Sequence, residues 1–365
     1  MDATAAARRL LDVIELVESD PNVRVFFNAK PGPMTGEVEA FLTDVGARTV
    51  PWSTARRSRF DLLLSTEAEA VADLRGPAIV VPYGLMQREP LGEGRGIDAP
   101  VGKVVSATVH NRPSATPLLA LAHEWPRILG DRSGVAPNSL VAGDPTYDRL
   151  TASLPARSAY RAKLGVREDQ TLVLLCSGSH PLWLFDGRGS MVRALVDDLP
   201  TAEYRVMCLL PYRTWREYGS RQVRAWVTGV TGGRVTLIEP RIDWRAALVA
   251  ADQVVGDSGP VTGYAASIGK PVLLVRLPGS EIPSGSMAEA VAAATGVLDP
   301  GRSLRRQVAD AGTPLPTDVA EVVSRLTSLP GRSAYVLRTS MYQLLRLPEP
   351  QTVSWYRPVP VPPSE

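Results

Sequence analysis

The chain has 365 residues, which is too long for one simple hydrophobic core and is typical of two domains of ordinary size. Its 40 basic and 38 acidic residues give a formal charge of +2, so the sequence carries no large field that would attract nucleic acid or an anionic membrane. Both of its cysteines lie in apolar runs, and no apolar stretch has the length of a signal peptide or a membrane span. We therefore expect a cytoplasmic protein with no disulfide, no transmembrane segment and no nucleic-acid partner.

Short apolar runs alternate with amphipathic segments along residues 1–143. Runs typical of strands cover 23–27, 60–64, 78–81, the region near Val104 and 139–142, and helical spacing is present near the N-terminus and at 38–45, 67–75 and 118–129. The strand-like runs lack a clean apolar–polar alternation, which is typical of parallel strands that are buried on both faces. Residues 1–143 are therefore predicted to form a Rossmann-like domain.

The same alternation restarts in residues 144–330, after the turn-rich sequence 143–146, where we place a hinge. Predicted strands cover 172–176, 204–210, 235–238, 253–255 and 272–275, and predicted helices cover 157–164, 214–228, 244–250 and 261–268. The expected fold is α/β, with two Rossmann-like, doubly wound domains that face each other across a cleft. A last helix within 331–350 is expected to pack back on the N-terminal domain.

Residues 351–365 are rich in proline. They have too few apolar side chains to fold back on either domain, so we expect an extended or disordered tail.

The most informative stretch, Gly256-Asp257-Ser258-Gly259-Pro260-Val261-Thr262, joins a short apolar strand to a helix that has a proline in its first turn. The first N–H groups of a helix lack partners within it, and the helix dipole favours negative charge there. Ser258 Oγ and the amides of 259–262 are therefore candidates for binding a diphosphate. The alternative is ordinary capping, in which Asp257 or Ser258 only satisfies the helix start.

Three further loops follow predicted strands of the second half and are expected to open onto the same cleft. They contain small residues that allow close backbone approach and arginines that can neutralise phosphate. The predicted donor-binding residues are Ser177, Gly178, Ser179, Arg213, Arg241, Ser258, Gly259, Val261 and Thr262. The candidate catalytic residues are Asp257 and His180, whose imidazole suits proton transfer near neutral pH.

The chain resembles the actinobacterial CDP-glycerol glycerophosphotransferase-like proteins of the GT-B glycosyltransferase fold. The sequences VAGDPTYDRL at 141–150, YRAKLGV at 160–166, WRAALVAAD at 244–252 and GDSGPVTGYAA at 256–266 carry most of the resemblance, which extends over nearly the whole chain and is firmest in the second half. Residues 257–259 and 269–273 also resemble the uridine-diphosphate site of UDP-GlcNAc 2-epimerases, which share that fold. The resemblance implies that the second domain holds a UDP- or CDP-linked donor and the first domain a small-molecule or polymer acceptor.

Three histidines of the family pattern are absent from this chain. The corresponding places read Pro82-Tyr83-Gly84, Pro211-Tyr212-Arg213 and Asp257-Ser258-Gly259. A phenol with an ordinary pKa of about 10 is a poor general base at neutral pH, so the family's acid–base chemistry does not carry over. Tyr83, Gly84 and His123 are the candidates for the acceptor side, and for His123 a structural hydrogen bond within a helix is the alternative.

Two functions remain open from the sequence. In the first, the protein transfers a sugar or polyol-phosphate group from a nucleotide-diphosphate donor, with no cofactor and no metal, and Arg213 or Arg241 stabilises the leaving group. In the second, it is a catalytically degenerate homologue that acts as a nucleotide-binding or scaffold protein. The sequence has no spacing of histidine, cysteine and acidic residues typical of a metal site, and no P-loop or dinucleotide fingerprint.

Overall fold

The structure is a computed structural model that describes residues 3–32, 35–82, 117–124, 138–177, 191–257, 259–275, 287–299, 301–312, 314–351 and 355–362. The predicted strand near Val104 and six predicted site residues lie outside the described residues, namely Tyr83, Gly84, Gly178, Ser179, His180 and Ser258.

The chain forms two compact units. Of the described residues, those up to Asp148 together with Leu326–Tyr356 form the first unit, and Arg149–Arg325 together with those from Arg357 onward form the second. The helices are α1 (Ala3–Ile14), α2 (Thr35–Asp44), α3 (Trp52–Ala55), α4 (Ala68–Val71), α5 (Pro145–Ser153), α6 (Arg157–Lys163), α7 (Met191–Asp198), α8 (Tyr212–Thr231), α9 (Trp244–Ala250), α10 (Pro260–Ser267), α11 (Met287–Ala294), α12 (Leu304–Asp310), α13 (Pro316–Leu326) and α14 (Ser333–Leu345). The strands are β1 (Leu63–Ser65), β2 (Ala78–Val80), β3 (Leu118–Leu121), β4 (Ser139–Val141), β5 (Thr171–Cys176), β6 (Tyr204–Leu209), β7 (Val235–Ile238), β8 (Gln253–Gly256), β9 (Val272–Leu274) and β10 (Gly296–Val297).

The first unit contains a parallel sheet of four strands in the order β1-β2-β3-β4. Its core includes Val80 of β2 and Leu121 of β3, which pack with α4. The strand predicted over 23–27 is present only as an isolated parallel bridge between Phe27 and Thr49.

The helix predicted over 118–129 is wrong for its first four residues, which form strand β3. Leu119 pairs with Val80 of β2 on one side and with Ser139 of β4 on the other. A short run of apolar residues is compatible with either a buried strand or a buried helix, and here pairing with two neighbouring strands decides the outcome. His123 therefore follows a strand end, and the predicted helical setting for it is wrong.

The turn predicted at 143–146 is in part a helix start, because α5 begins at Pro145, and the hinge placed there stays a prediction. Gly143 has a φ of +90°, and a Cβ at this position would lie 2.7 Å from the carbonyl oxygen of Leu329. The glycine is thus required for both its backbone conformation and the close approach of the segment before α14.

The second unit contains a parallel sheet of six strands in the order β10-β9-β8-β5-β6-β7. The side chains at 172–175 in the central strand β5 are all fully buried, as expected for a parallel strand covered on both faces. Residues of α7, α8 and α12 share one core cluster with the strands, whereas α9 and α10 also contact the strands but take no part in that cluster. This confirms a doubly wound α/β arrangement for the unit.

Helix α10 approaches β8 very closely at Gly256. A Cβ at this glycine would lie 2.5 Å from both Cys176 Sγ and Thr262 Oγ1. Those two atoms are 3.4 Å apart and both residues are buried, so no side chain can be accommodated between strand and helix. The glycine thereby holds the first turn of α10 against the end of β8.

Helix α14 packs against α1 and the segment after it, within the first unit. Arg338 donates a 2.8 Å hydrogen bond to the carbonyl oxygen of Leu16, and Tyr342 donates one of 3.0 Å to Asp20. The buried carboxylate of Asp148 accepts hydrogen bonds from the amide and hydroxyl of Ser333 at 2.9 and 2.5 Å, which satisfies the start of α14. The pKa of Asp148 is raised, because desolvation by burial raises it more than these hydrogen bonds lower it.

The prediction that the tail lacks side chains able to fold back is wrong for residues 355–362, although these are extended. Within the second unit, the backbone of Val359 accepts a 2.7 Å hydrogen bond from the Tyr160 hydroxyl and donates one of 3.0 Å to Ser153 Oγ, and its side chain is 1 % exposed. Tyr356 is buried in the first unit, 3.5 Å from Ser333 Oγ. Two side chains and two backbone hydrogen bonds are enough to hold an extended segment that composition alone assigns to the solvent.

The close approach at Gly256 predicts that Gly256→Ala destabilises the protein by about 1–3 kcal/mol, because an added methyl group overpacks a rigid contact. Urea unfolding measures the change. Gly229→Ala in α8 is the matched control, since nothing lies within 4 Å of the added carbon, and it is expected to be neutral or to stabilise by up to about 1 kcal/mol. Equal effects of the two substitutions would contradict the packing account.

The anchored tail predicts that Tyr160→Phe lowers the free energy of unfolding by about 1–3 kcal/mol, because the buried carbonyl of Val359 loses its donor. The control is Tyr335→Phe on α14, whose side chain is exposed and for which we expect a change within about 0.5 kcal/mol. A stability unchanged by Tyr160→Phe, or by removal of residues 357–365, would show that the tail is not held.

Candidate functional site

The strand order of the second unit defines a switch point in its sheet. From the central strand β5 the chain runs to β6 and β7 on one side, and later to β8, β9 and β10 on the other. Open parallel sheets bind ligands outside the carboxyl ends of the two strands where the order reverses. Those strands are β5 and β8, which pair directly, with Cys176 opposite Gly256. The residues that follow them are Ser177 and Asp257.

Ser177 and Asp257 interact at this edge. The Ser177 hydroxyl donates a 3.3 Å hydrogen bond to one carboxylate oxygen of Asp257, and the other oxygen accepts a 2.9 Å hydrogen bond from the amide of Gly259. Both side chains are buried, at 6 % and 1 % exposure. Asp257 therefore lies against the first turn of α10, where the helix dipole favours a negative charge.

The set of amides available to a phosphate is smaller than the sequence predicts. The amide of Gly259 already donates to Asp257, and Pro260 has no N–H. The remaining donors of the first turn are the amides of Val261 and Thr262, which have no partner within the helix because of their position. The prediction that amides 259–262 act together is thus wrong for its first two members.

The side chain of Thr262 faces the core rather than the sheet edge. Its hydroxyl contacts Cys176 Sγ at 3.4 Å, so only its backbone is a candidate ligand of a phosphate. Burial raises the pKa of the Cys176 thiol to about 12, which excludes a thiolate nucleophile at this position. Both cysteines are free and buried, as their apolar surroundings predict.

The two predicted arginines follow β6 and β7, at increasing distance from the switch point. Arg213 lies in the first turn of α8 and is exposed. Arg241 donates a 3.0 Å hydrogen bond to Glu239, which also pairs with Arg224. Neighbouring strands are about 4.8 Å apart. Arg213 follows β6, which is next to β5, whereas Arg241 follows β7, which is two strands from β5. Arg213 is thus the better placed cation, whereas Arg241 shares the single carboxylate of Glu239 with Arg224.

His123 lies at the carboxyl end of β3 in the first unit and is half-buried. Two residues before α14 hold the strand end: Thr327 Oγ1 donates a 3.1 Å hydrogen bond to the carbonyl oxygen of Ala122, and Ser328 Oγ accepts one of 2.9 Å from the amide of Glu124. His123 therefore lies at the carboxyl end of the strands in its own unit, the edge at which open parallel sheets generally bind ligands, and the helix predicted at 118–129 did not suggest this position.

Lys270, in the motif that resembles a uridine-diphosphate site, lies at the opposite edge of the sheet. Its ammonium donates 2.7 Å hydrogen bonds to the carbonyl oxygens of Val249 and Ala251 at the end of α9. Burial lowers the pKa of Lys270 to about 8. Lys270 thus supplies hydrogen-bond donors to the last carbonyl oxygens of α9. It lies at the edge of the sheet opposite Asp257 and is not available to a ligand bound next to Asp257.

Within the described ranges, no three or more histidine, cysteine, aspartate or glutamate side chains are grouped so that they could hold a metal ion. In that same part of the chain, no helix has both the length and the apolar content needed to cross a bilayer.

Two features of the site were not predicted from the sequence, namely the contact of Ser177 with Asp257 and the close approach of α10 to β8 at Gly256. The one sequence signal for the close approach is the glycine itself, directly before Asp257.

No protein-family model matches the sequence, and no curated protein is significantly similar to it. The fold is similar to that of the wall teichoic acid polymerase TagF, with a TM-score of 0.56 and 12% identity over 93% of this chain and 85% of that one. A TagF variant soaked with CDPG gives 0.56 and 11% over 92% and 84%. The UDP-GlcNAc 2-epimerase from Neisseria meningitidis bound to UDP-GlcNAc gives 0.57 and 13% over 93% and 96%. The chain therefore has the GT-B fold, as predicted.

The buried contacts of Asp257 predict that Asp257→Ala lowers the free energy of unfolding by about 1–3 kcal/mol, because the Gly259 amide and the Ser177 hydroxyl lose a buried acceptor. Asp257→Asn keeps one acceptor oxygen and is expected to cost less. Asp310→Ala at the exposed end of α12 is the control, with an expected change within about 0.5 kcal/mol. Chemical unfolding of the three variants checks the order, and an Asp257→Ala variant as stable as the control would contradict the assigned contacts.

Proposed function

We propose that this protein is a GT-B transferase that moves a sugar or polyol-phosphate group from a UDP- or CDP-linked donor to an acceptor. The observation that carries the proposal is the position of Ser177, Asp257 and the start of α10 at the switch point between β5 and β8. The donor's diphosphate binds at this edge, to the amides of Val261 and Thr262 and to Ser258. The acceptor binds at the edge of the first unit that bears His123.

The chemistry asked of this edge is stabilisation of charge on the departing nucleotide. When a sugar is transferred, negative charge grows on the β-phosphate of the departing nucleoside diphosphate. When a polyol phosphate is transferred, the pyrophosphate bond breaks and the charge grows on the α-phosphate of the departing nucleoside monophosphate. In both cases amides fixed by the packing at Gly256 need no reorganisation to stabilise that charge. Arg213 supplies the nearest cation. His180, directly after the β5 loop, is the proposed proton carrier at the donor side.

Asp257 sets a constraint on this proposal. A buried carboxylate beside the first turn of α10 competes with an anionic ligand for the same dipole and the same amides. The charge balance therefore requires cations from neighbouring loops, of which Arg213 is the first. This constraint favours a second candidate function, a homologue that keeps the fold and binds a partner or a nucleotide without catalysing transfer.

Thermal unfolding in the presence of UDP, CDP, GDP and their sugar or glycerol conjugates tests the proposal. A nucleotide at one hundred times its Kd stabilises the native state by about 2.7 kcal/mol, which is expected to raise the Tm by roughly 5–10 °C. Ser258→Arg is expected to abolish the rise, because a long side chain fills the proposed diphosphate site. Thr228→Arg adds the same side chain at an exposed position of α8 and is expected to leave the rise intact.

The two candidate functions differ in turnover. A transferase releases the nucleoside diphosphate when a sugar is transferred, or the nucleoside monophosphate when a polyol phosphate is transferred. His180→Ala slows that release, whereas a degenerate homologue binds the donor and releases nothing. If no nucleotide raises the Tm, the proposed function is wrong. If the rise persists in Ser258→Arg, the nucleotide binds elsewhere.

A further inference from the structure

The first unit contains a cavity of about 690 Å³, within the range of roughly 300–1,000 Å³ that is typical of small-molecule sites. It lies between two extended segments, 22–28 and 58–65, which contribute most of its walls. Among the described residues, no backbone hydrogen bond joins these segments. The amide and carbonyl of Phe27 pair instead with Arg48 and Val50, and the pairs of β1 are with β2. Two neighbouring segments of a parallel unit are thus separated by a ligand-sized space.

The shape of this cavity suits a chain-like molecule. The bordering segments are seven and eight residues long, which corresponds to at most about 23–26 Å at 3.3 Å per residue. A volume of 690 Å³ spread over this length leaves a narrow slot rather than a round pocket. The slot has room for one extended aliphatic chain in contact with both walls.

Most of the side chains that line the cavity are apolar, although polar atoms make up about half of the exposed wall surface. Val23, Val25, Leu62 and Leu64 line the cavity and are only half-buried, although each belongs to a segment that is predicted as a buried strand. Three of the five phenylalanines of the chain, Phe26, Phe27 and Phe60, also line it. The space is partly open to solvent, so water fills it when no ligand is bound. Water fills it at the cost of leaving these side chains hydrated, whereas an apolar chain removes that cost.

The charged groups of the wall favour an anion at the end of that chain. Arg24, Lys30 and Arg59 line the cavity with one carboxylate, Asp61. Lys30 is neutralised by Asp73 at 3.3 Å, but Arg24 and Arg59 take part in no ion pair among the described residues. Two exposed guanidinium groups beside an apolar slot are suited to hold a carboxylate or a phosphate by charge-assisted hydrogen bonds.

We infer that this cavity binds a single-chain amphiphile with an anionic head group, whose chain lies between residues 22–28 and 58–65 and whose head group pairs with Arg24 and Arg59. The site belongs to the first unit alone. It is independent of the proposed nucleotide site and does not require that the protein be a transferase.

Binding of the fluorescent fatty acid cis-parinaric acid to the full-length protein tests the inference. We expect a saturable rise in fluorescence with a Kd on the order of micromolar. The double variant Arg24→Gln/Arg59→Gln is expected to weaken binding about tenfold or more, because it removes both cations and leaves the apolar slot intact. Arg56→Gln/Arg57→Gln removes two exposed charges outside the wall and is expected to leave the Kd within about twofold.

Competition experiments separate the contribution of the head group from that of the chain and show which anionic head group is preferred. Palmitic acid and palmitoyl lysophosphatidic acid are both expected to displace the probe. The stronger competitor of the two identifies the preferred head group as a carboxylate or a phosphate. Hexadecanol, which has the same chain without a charge, is expected to displace the probe at least tenfold less well. Ala70→Trp fills the slot and is expected to abolish binding, with the melting temperature of each variant showing that it is folded. The inference is overturned if binding is not saturable, if hexadecanol competes as well as the acids, or if both arginine double variants bind alike.

Discussion

The contact between Gly256 and Thr262 is the constraint on which the rest of the second unit's edge depends. Because nothing larger than hydrogen fits at Gly256, helix α10 starts directly at the carboxyl end of β8 instead of standing away from it. Asp257 lies there beside Ser177, the residue that follows the neighbouring strand β5. The absence of a side chain at Gly256 thus determines where the amides of Val261 and Thr262 lie, which among the described residues are the donors of the first turn without a partner in the helix.

At this edge the carboxylate of Asp257 and the diphosphate of the proposed donor compete for the same positive end of the helix. Asp257 takes the place that an anion has at many helix starts, and it is held there by one amide and one hydroxyl. A diphosphate therefore gains less from the helix than the loop sequence alone suggests. The arginine in the first turn of α8 makes up part of the difference, whereas Arg241 is engaged by Glu239. In the proposed function a nucleotide binds at this edge, and these charges set its affinity.

The strands and helices predicted between residues 157 and 275 agree with the structure to within a few residues, because alternating strands and helices leave little ambiguity there. Four helices (α7, α11, α12 and α13) and strand β10 of the second unit were not predicted. The first unit was harder. The apolar run 118–121 has no intrinsic preference that separates strand from helix, and only its pairing with β2 and β4 settles it. Segment 23–27 has the composition of a strand, yet it forms a single bridge because its other edge borders a cavity. The anchoring of Val359 depends on Tyr160 and Ser153, about two hundred positions away, which no local pattern signals. At the candidate site, residue types and loop positions were predictable, but the engagement of the Gly259 amide by Asp257 was not.

The most direct test of the account is a crystal structure of the protein with the nucleotide that stabilises it most. The account predicts that oxygens of the diphosphate lie within hydrogen-bond distance of the amides of Val261 and Thr262, next to the pair formed by Ser177 and Asp257. A diphosphate bound at another edge, or a nucleotide held without any contact to the first turn of α10, would contradict it.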